Sequence, residues 1–297
     1  MSRSISGSAI TITAGHYAAT VLTVGAALGS FTCNRRDLVL PSPVDTLSHA
    51  FLGKALVPWP NRVAGGSYSW NGRMHYLPVN DLPNDAALHG LLCWQEWQVA
   101  HASADAVTLT SFIAPRPGYE WPLECTASYH LDPDEGLGVT IESVNIGVET
   151  APYGVASHPY ICLGGQPADA YELTMPAELV YTMDGNQVPI AAVSVKEAAA
   201  DFRAARYIGG AALDHAFTGF PDGVWTIKVS EPSSGLSVEL SSDVGYAQLY
   251  SADAIGRRAL AVEPMSCAPN AFNSGDGLVH LAHGQRHRFG YALRALG

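Results

Sequence analysis

Short apolar-rich runs, separated by polar turn residues, recur along the whole chain and set the expected fold. Ile10–Ala14, Ala19–Val24, Val107–Phe112, Cys125–Leu131, Leu137–Ile141, Trp225–Val229, Leu236–Leu240, Ala247–Tyr250, Ala259–Val262 and Arg288–Leu293 are mostly rich in Val, Thr, Tyr or Leu and bounded by Gly, Pro, Asp or Asn. That pattern predicts strands. Ser67–Trp70 and Arg73–Leu77 flank Asn71-Gly72, a pair that takes the positive φ angles of a type I′ turn, so a hairpin is expected there. Only Ser194–Arg206, with its five alanines, has a composition that favours helix. No long Pro/Gly/Ser linker, low-complexity tract or internal repeat interrupts the chain, so residues 1–297 read as one all-β domain, a large antiparallel β-sandwich.

Composition agrees with many short strands joined by tight turns: 47% of the 297 residues are apolar and 14% charged, with 29 Gly and 19 Pro. The net charge is −11, and no run of bases exceeds the pairs Arg35-Arg36 and Arg257-Arg258. Nucleic acid is therefore not an expected partner, and an anionic substrate would depend on individually placed cations. The five cysteines, Cys33, Cys93, Cys125, Cys162 and Cys267, are odd in number, widely spaced and lack a C-x-x-C pair. They read as reduced, buried thiols of a cytoplasmic protein. The Ala18–Leu28 run is interrupted by Thr and Gly, which suits a strand rather than a signal or membrane helix.

Candidate chemistry concentrates in a few loops. Ala261–Asn273 places Glu263 between an apolar strand and a stiff loop containing Pro264 and Pro269, where a fixed general base could sit. His158, held extended by Pro159, is a candidate proton donor, because imidazole titrates nearest neutrality. His89 precedes Gly90, which lets backbone or ligand approach closely. Arg62 follows the stiff Pro58-Trp-Pro-Asn61 loop and could aim its guanidinium at hydroxyls or at a carboxylate. Asp214 can accept hydrogen bonds from adjacent sugar hydroxyls. Each has an ordinary alternative: a hydrogen-bonded structural His, an Arg anchoring its own loop, a turn or capping Asp. Trp59, Trp94, Tyr119 and Tyr160 could offer flat faces to a sugar or fill the core. His280, His283 and His287 read as a surface cluster rather than a metal site. No nucleophile elbow, P-loop or dinucleotide fingerprint is present.

In this order, Asn61-Arg62, Leu88-His89-Gly90, His158-Pro159-Tyr160, Asp214-His215-Ala216-Phe217, Gln248-Leu-Tyr250 and Glu263-Pro264 resemble the aldose 1-epimerase (galactose mutarotase-like) family over most of the chain. The Pro58–Arg62 and Gly90–Trp94 stretches are most similar to bacterial members of the branch that includes sulfoquinovose mutarotases. The resemblance implies a supersandwich fold, a monosaccharide substrate and no cofactor. It also implies Glu263 as general base and His158 as general acid, with His89, Arg62, Asp214 and Gln248 binding the sugar. Three features depart from the family pattern: Ile161-Cys162-Leu163 where Phe-Asn-Leu is frequent, Asn80-Asp81 where Asn-Glu is common, and His215 after Asp214.

The residue types suit anomer exchange, which needs one group to take the C1 hydroxyl proton and another to protonate the ring oxygen. Three alternatives remain open: a non-catalytic sugar sensor of the same fold, a mutarotase for a sulfonated or phosphorylated sugar, and a glycoside hydrolase using Asp214 with Glu263. A phosphorylated substrate would need Arg62, Arg73 and Arg116 brought together.

Overall fold

The computed structural model describes residues 4–47 and 50–296. Two large sheets form its layers. The first contains twelve strands, with a main path running Ala9–Ala14, Tyr17–Leu22, Ala27–Cys33, Arg36–Val39, Tyr160–Ile161, Leu260–Met265, Tyr246–Tyr250, Asp214–Thr218, Leu179–Met183, Pro189–Ser194. Ala156–Ser157 joins it by pairing with both Leu260–Met265 and Ala55–Leu56. The second has nine, running Gln98–Ala102, Ala106–Ile113, Leu123–Asp132, Gly136–Asn145, Arg286–Leu296, Leu236–Ser242, Trp225–Glu231, Glu172–Thr174, Arg206–Tyr207. Neighbouring strands within both sheets pair antiparallel. No helix among the described residues is long and apolar enough to cross a membrane.

Alternation explains the packing. Leu123–Asp132 buries every second residue, Leu123, Cys125, Ala127, Tyr129 and Leu131, and Trp225–Glu231 does the same, as a strand with one face on a core must. Those side chains meet Ile12, Val21, Phe31, Leu249 and Val262 in one continuous apolar core. All ten runs expected to be strands overlap strands, and Asn71 and Gly72 turn the expected hairpin at φ 50° and 75°. All five cysteines are buried free thiols.

The expected helix over Ser194–Arg206 is overturned. Ser194 ends an edge strand paired with Leu179–Met183, Ala199 takes a left-handed φ of 54°, and Arg206 begins another short strand. Val195 and Phe202 insert into the core and Ala200 packs against it. Helix propensity summed over so short a segment cannot offset the nucleation cost when flanking residues gain sheet hydrogen bonds instead.

Strands of the twelve-stranded sheet dominate the site floor because Leu260–Met265 is central and buried along its whole length. Both ladder partners fix its register, pairing Gln248 with Glu263 and Ala261 with Tyr160. Period-two geometry then puts Tyr160, Glu263, Gln248 and Asp214 on one face.

A candidate active site on the twelve-stranded sheet

That face opens into a cleft of about 200 Å³ lined by Arg62, His89, His158, Asp214 and Glu263, with Phe51, Tyr160 and Tyr250 as aromatic walls. It is smaller than a drug-sized pocket, which suits a single small polar ligand. Larger grooves lie elsewhere, such as the one of about 540 Å³ beside Phe112, but none gathers this set of ionisable groups.

Glu263 is 2% exposed on its strand, and its Oε1 lies 3.4 Å from His158 Nε2. His158 connects the short strands Ala156–Ser157 and Tyr160–Ile161. Its backbone is pinned on both sides, donating to Lys54 O at 3.1 Å and accepting from Gly53 N at 2.9 Å. Its ring lies flat on Tyr160, with centroids 4.8 Å apart. Burial, then the Asp214 charge, raises the Glu263 pKa well above the carboxylate range, with Arg62 opposing. Burial lowers that of His158 to about 3. Both shifts run towards the neutral forms, because the low-dielectric surroundings favour carboxylic acid with neutral imidazole over the ion pair.

His89 and Asn61 lock each other. Both have left-handed φ, 64° and 51°; His89 N donates to Asn61 O at 2.9 Å, and Asn61 N donates to His89 Nδ1 at 3.2 Å. With Nδ1 accepting, a neutral ring carries its proton on Nε2. Burial, reinforced by His158 and Arg62, holds the His89 pKa well below normal and so keeps the ring neutral. The following Gly90 is irreplaceable for two reasons: φ is 74°, and a Cβ would meet Val57 O at 2.3 Å. Gly90→Ala is expected to destabilise the fold by about 3 kcal/mol or more, measurable as a lowered denaturation midpoint with an unchanged m-value.

Arg62 Nε donates to Asp81 Oδ2 at 2.7 Å, and the loop after Glu263 fastens its strand: Asn270 N bonds Arg62 O, while Asn270 Oδ1 accepts from Ala64 N. Gln248 is buried and donates from Nε2 to Asp214 Oδ1 at 2.6 Å. It is not itself among the cleft-lining residues but holds Asp214, which is. Of five buried side-chain atoms with no hydrogen-bond partner among the described residues, three, His158 Nδ1, Glu263 Oε2 and Gln248 Oε1, belong to this site, and Trp121 Nε1 and His287 Nδ1 lie elsewhere. Unpaired buried polar groups are costly, so three on adjoining residues mark a site kept for function rather than for packing.

Of the aromatic candidates, Tyr160 lines the cleft, whereas Trp59 and Tyr119 are core residues bonded to Ala87 O and Pro152 O. Trp94 is 42% exposed and stands 5.3 Å from Phe51. Phe51, whose ring centroid lies 4.6 Å from that of His89, escaped sequence reasoning because no motif surrounds it. His280 packs on Trp70, His283 bonds Gly147 O and His287 lies against Tyr153. Among the described residues no His, Cys, Asp and Glu group is arranged to hold a metal ion.

Comparison with known proteins places this geometry. The uncharacterized protein YihR of Escherichia coli is 42% identical over 283 residues, spanning 95% of this chain and 92% of that protein. The crystal structure of a GalM/aldose epimerase homologue from C. elegans superposes with a TM-score of 0.88 at 20% identity, covering 98% of this chain and 99% of that one. A putative aldose 1-epimerase from E. coli gives 0.84 at 22%, over 97% and 99%. These two establish the supersandwich fold. The aldose 1-epimerase sequence profile matches residues 8–294, and the chain belongs to the aldose 1-epimerase family of isomerases.

Proposed function

We propose that this protein interconverts the α- and β-anomers of a free aldohexose, with Glu263 as general base and His158 as general acid. The observation that carries the reading is the buried Glu263–His158 pair, 3.4 Å apart in a cleft of about 200 Å³. Ring opening uses the ion-pair form. Glu263 takes the proton from the C1 hydroxyl, His158 gives one to the ring oxygen, and the C1–O5 bond breaks as the C1 carbonyl forms. The pair is left as carboxylic acid and neutral imidazole, the form that burial favours. After rotation about C1–C2, His158 takes the proton back from O5 and Glu263 returns one to O1 as the ring closes on the other carbonyl face. Proton count and net charge of the pair never change, so a desolvated site can run both directions. The reaction has no net redox change and needs proton transfer alone.

In this reading the neutral His89, through Nε2–H, and Arg62, through its Nη groups, donate to the sugar. Asp214 accepts from hydroxyls and is itself oriented by Gln248. A sensor would gain nothing from burying a matched acid and base, which costs stability. Arg62 is the only Lys or Arg among the cleft-lining residues. Arg73 pairs with Glu120 at the surface and Arg116 Nε bonds Ala114 O, which favours a substrate without a phosphate dianion. Glycoside hydrolysis fits less well, because Asp214 is held by Gln248 and the partner beside Glu263 is an imidazole. A cytoplasmic location, suggested by the five unpaired thiols, belongs to the same proposal.

NMR saturation transfer across neutral, phosphorylated and sulfonated aldoses tests it. Accelerated exchange of a neutral aldohexose supports the reading. Exchange confined to an anionic sugar would overturn the substrate class, and binding without acceleration would overturn the activity.

A further inference from the structure

Asp81 has no part in the reaction just described, yet its contacts converge on the site. Its side chain is 10% exposed, and that of Arg62 is 13% exposed. One carboxylate oxygen accepts from Arg62 Nε at 2.7 Å, and both accept from Asn84 Nδ2, at 3.0 and 2.9 Å. The neighbouring Asn80 brackets Leu88, accepting from its N–H at 2.6 Å and donating to its carbonyl at 3.1 Å. Leu88 is paired with Arg62 across a two-stranded ladder and precedes His89. The Nη1 and Nη2 groups of Arg62 have no hydrogen bond or ion pair to protein among the described residues, and the residue lines the cleft.

We infer that Asp81 is a positioning residue of this site: its carboxylate occupies the Nε edge of Arg62 so that the Nη fork remains free for the sugar, and its charge offsets the guanidinium facing Glu263. A guanidinium has five N–H donors in a fixed fork, so engaging one edge orients the other. Asn84 fixes the carboxylate in turn. The inference rests on the proposed roles of Arg62 and Glu263.

Its electrostatic consequence has a definite sign. The charged or titratable groups around Glu263 are His158 at 3.4 Å, His89, Asp214, Arg62, Tyr160 and Tyr250. Arg62 is the one fixed cation in that set, and it opposes the rise in the Glu263 pKa. Removing the Asp81 charge leaves Arg62 uncompensated. The Glu263–His158 pair then loses its single proton more readily, and the alkaline limb of the activity profile moves to lower pH.

The test is steady-state anomer exchange against pH for wild type, Asp81→Asn, Asp81→Glu and Asn84→Ala, with Glu263→Gln as control. Asp81→Asn is expected to raise KM about tenfold, as for a weakened hydrogen bond to a charged group, and to lower the alkaline limb by roughly half a pH unit. Asp81→Glu and Asn84→Ala keep the charge, so they should raise KM less and leave the limb in place; they also keep the test open if Asp81→Asn fails to fold. Wild-type KM and limb in Asp81→Asn, or an equal limb shift in the charge-retaining variants, would overturn the inference. An inactive wild type, or full activity in Glu263→Gln, would instead overturn the function on which it rests.

Discussion

Glu263→Gln is expected to lower kcat for anomer exchange by roughly 10⁴-fold, the upper end of what one positioned proton-transfer group contributes, while KM and thermal stability stay close to wild type. The substitution keeps the side chain's length and shape on a strand buried along its whole length, so packing is retained. What disappears is the capacity to take the C1 hydroxyl proton. That interaction exists only as the bond breaks, so the loss falls on kcat and not on KM. Stability should hold or rise slightly, because the amide is a neutral group replacing an ionisable one at a site where burial disfavours charge. Kinetics by NMR exchange and a thermal melt check both parts. Activity within tenfold of wild type would remove Glu263 from the role of base.

His158→Asn is expected to cost roughly 10³-fold in kcat and to reverse the pH dependence of what remains. In wild type the pair must carry one proton. Below about 3 the imidazole of His158 takes a second, and at the alkaline limb the pair loses its last, so activity falls on both sides. Without the imidazole, only ionised Glu263 can act. Residual activity should therefore rise with pH through the raised Glu263 pKa, where the wild type declines. A residual profile that still falls there would assign the acid to another group. Stability should drop by about 1 kcal/mol, since the flat contact with Tyr160 is lost and a small cavity remains.

Much of this architecture is legible in the sequence because it is local. Runs such as Cys125–Leu131 and Leu236–Leu240 carry their strand identity in their own residues, and Asn71-Gly72 specifies its turn through φ angles few other pairs adopt. The site motifs are legible for a related reason. Glu263 before Pro264, His158 before Pro159 and His89 before Gly90 are reactive side chains set in stiff or specially bent backbone.

Tertiary structure decided the rest. Ser194–Arg206 has helix-favouring composition, but its ends are taken by sheet edges, and composition holds no record of a distant strand. Phe51 became a cleft wall, and Trp59 and Tyr119 became core, through contacts with distant segments. Gln248 came to hold Asp214 because the register of Tyr246–Tyr250 on its two neighbours sets both side chains on the face that carries Glu263. Asp81 reached Arg62 from nineteen residues away through the folding of one loop. By itself the sequence determined an all-β fold and which side chains could carry acid–base chemistry, since propensity, turn geometry and ionisation are properties of residues and their neighbours. Only the tertiary structure decided that His158 and Glu263 stand 3.4 Å apart and buried. Proximity and dielectric environment arise when distant segments close around the same space.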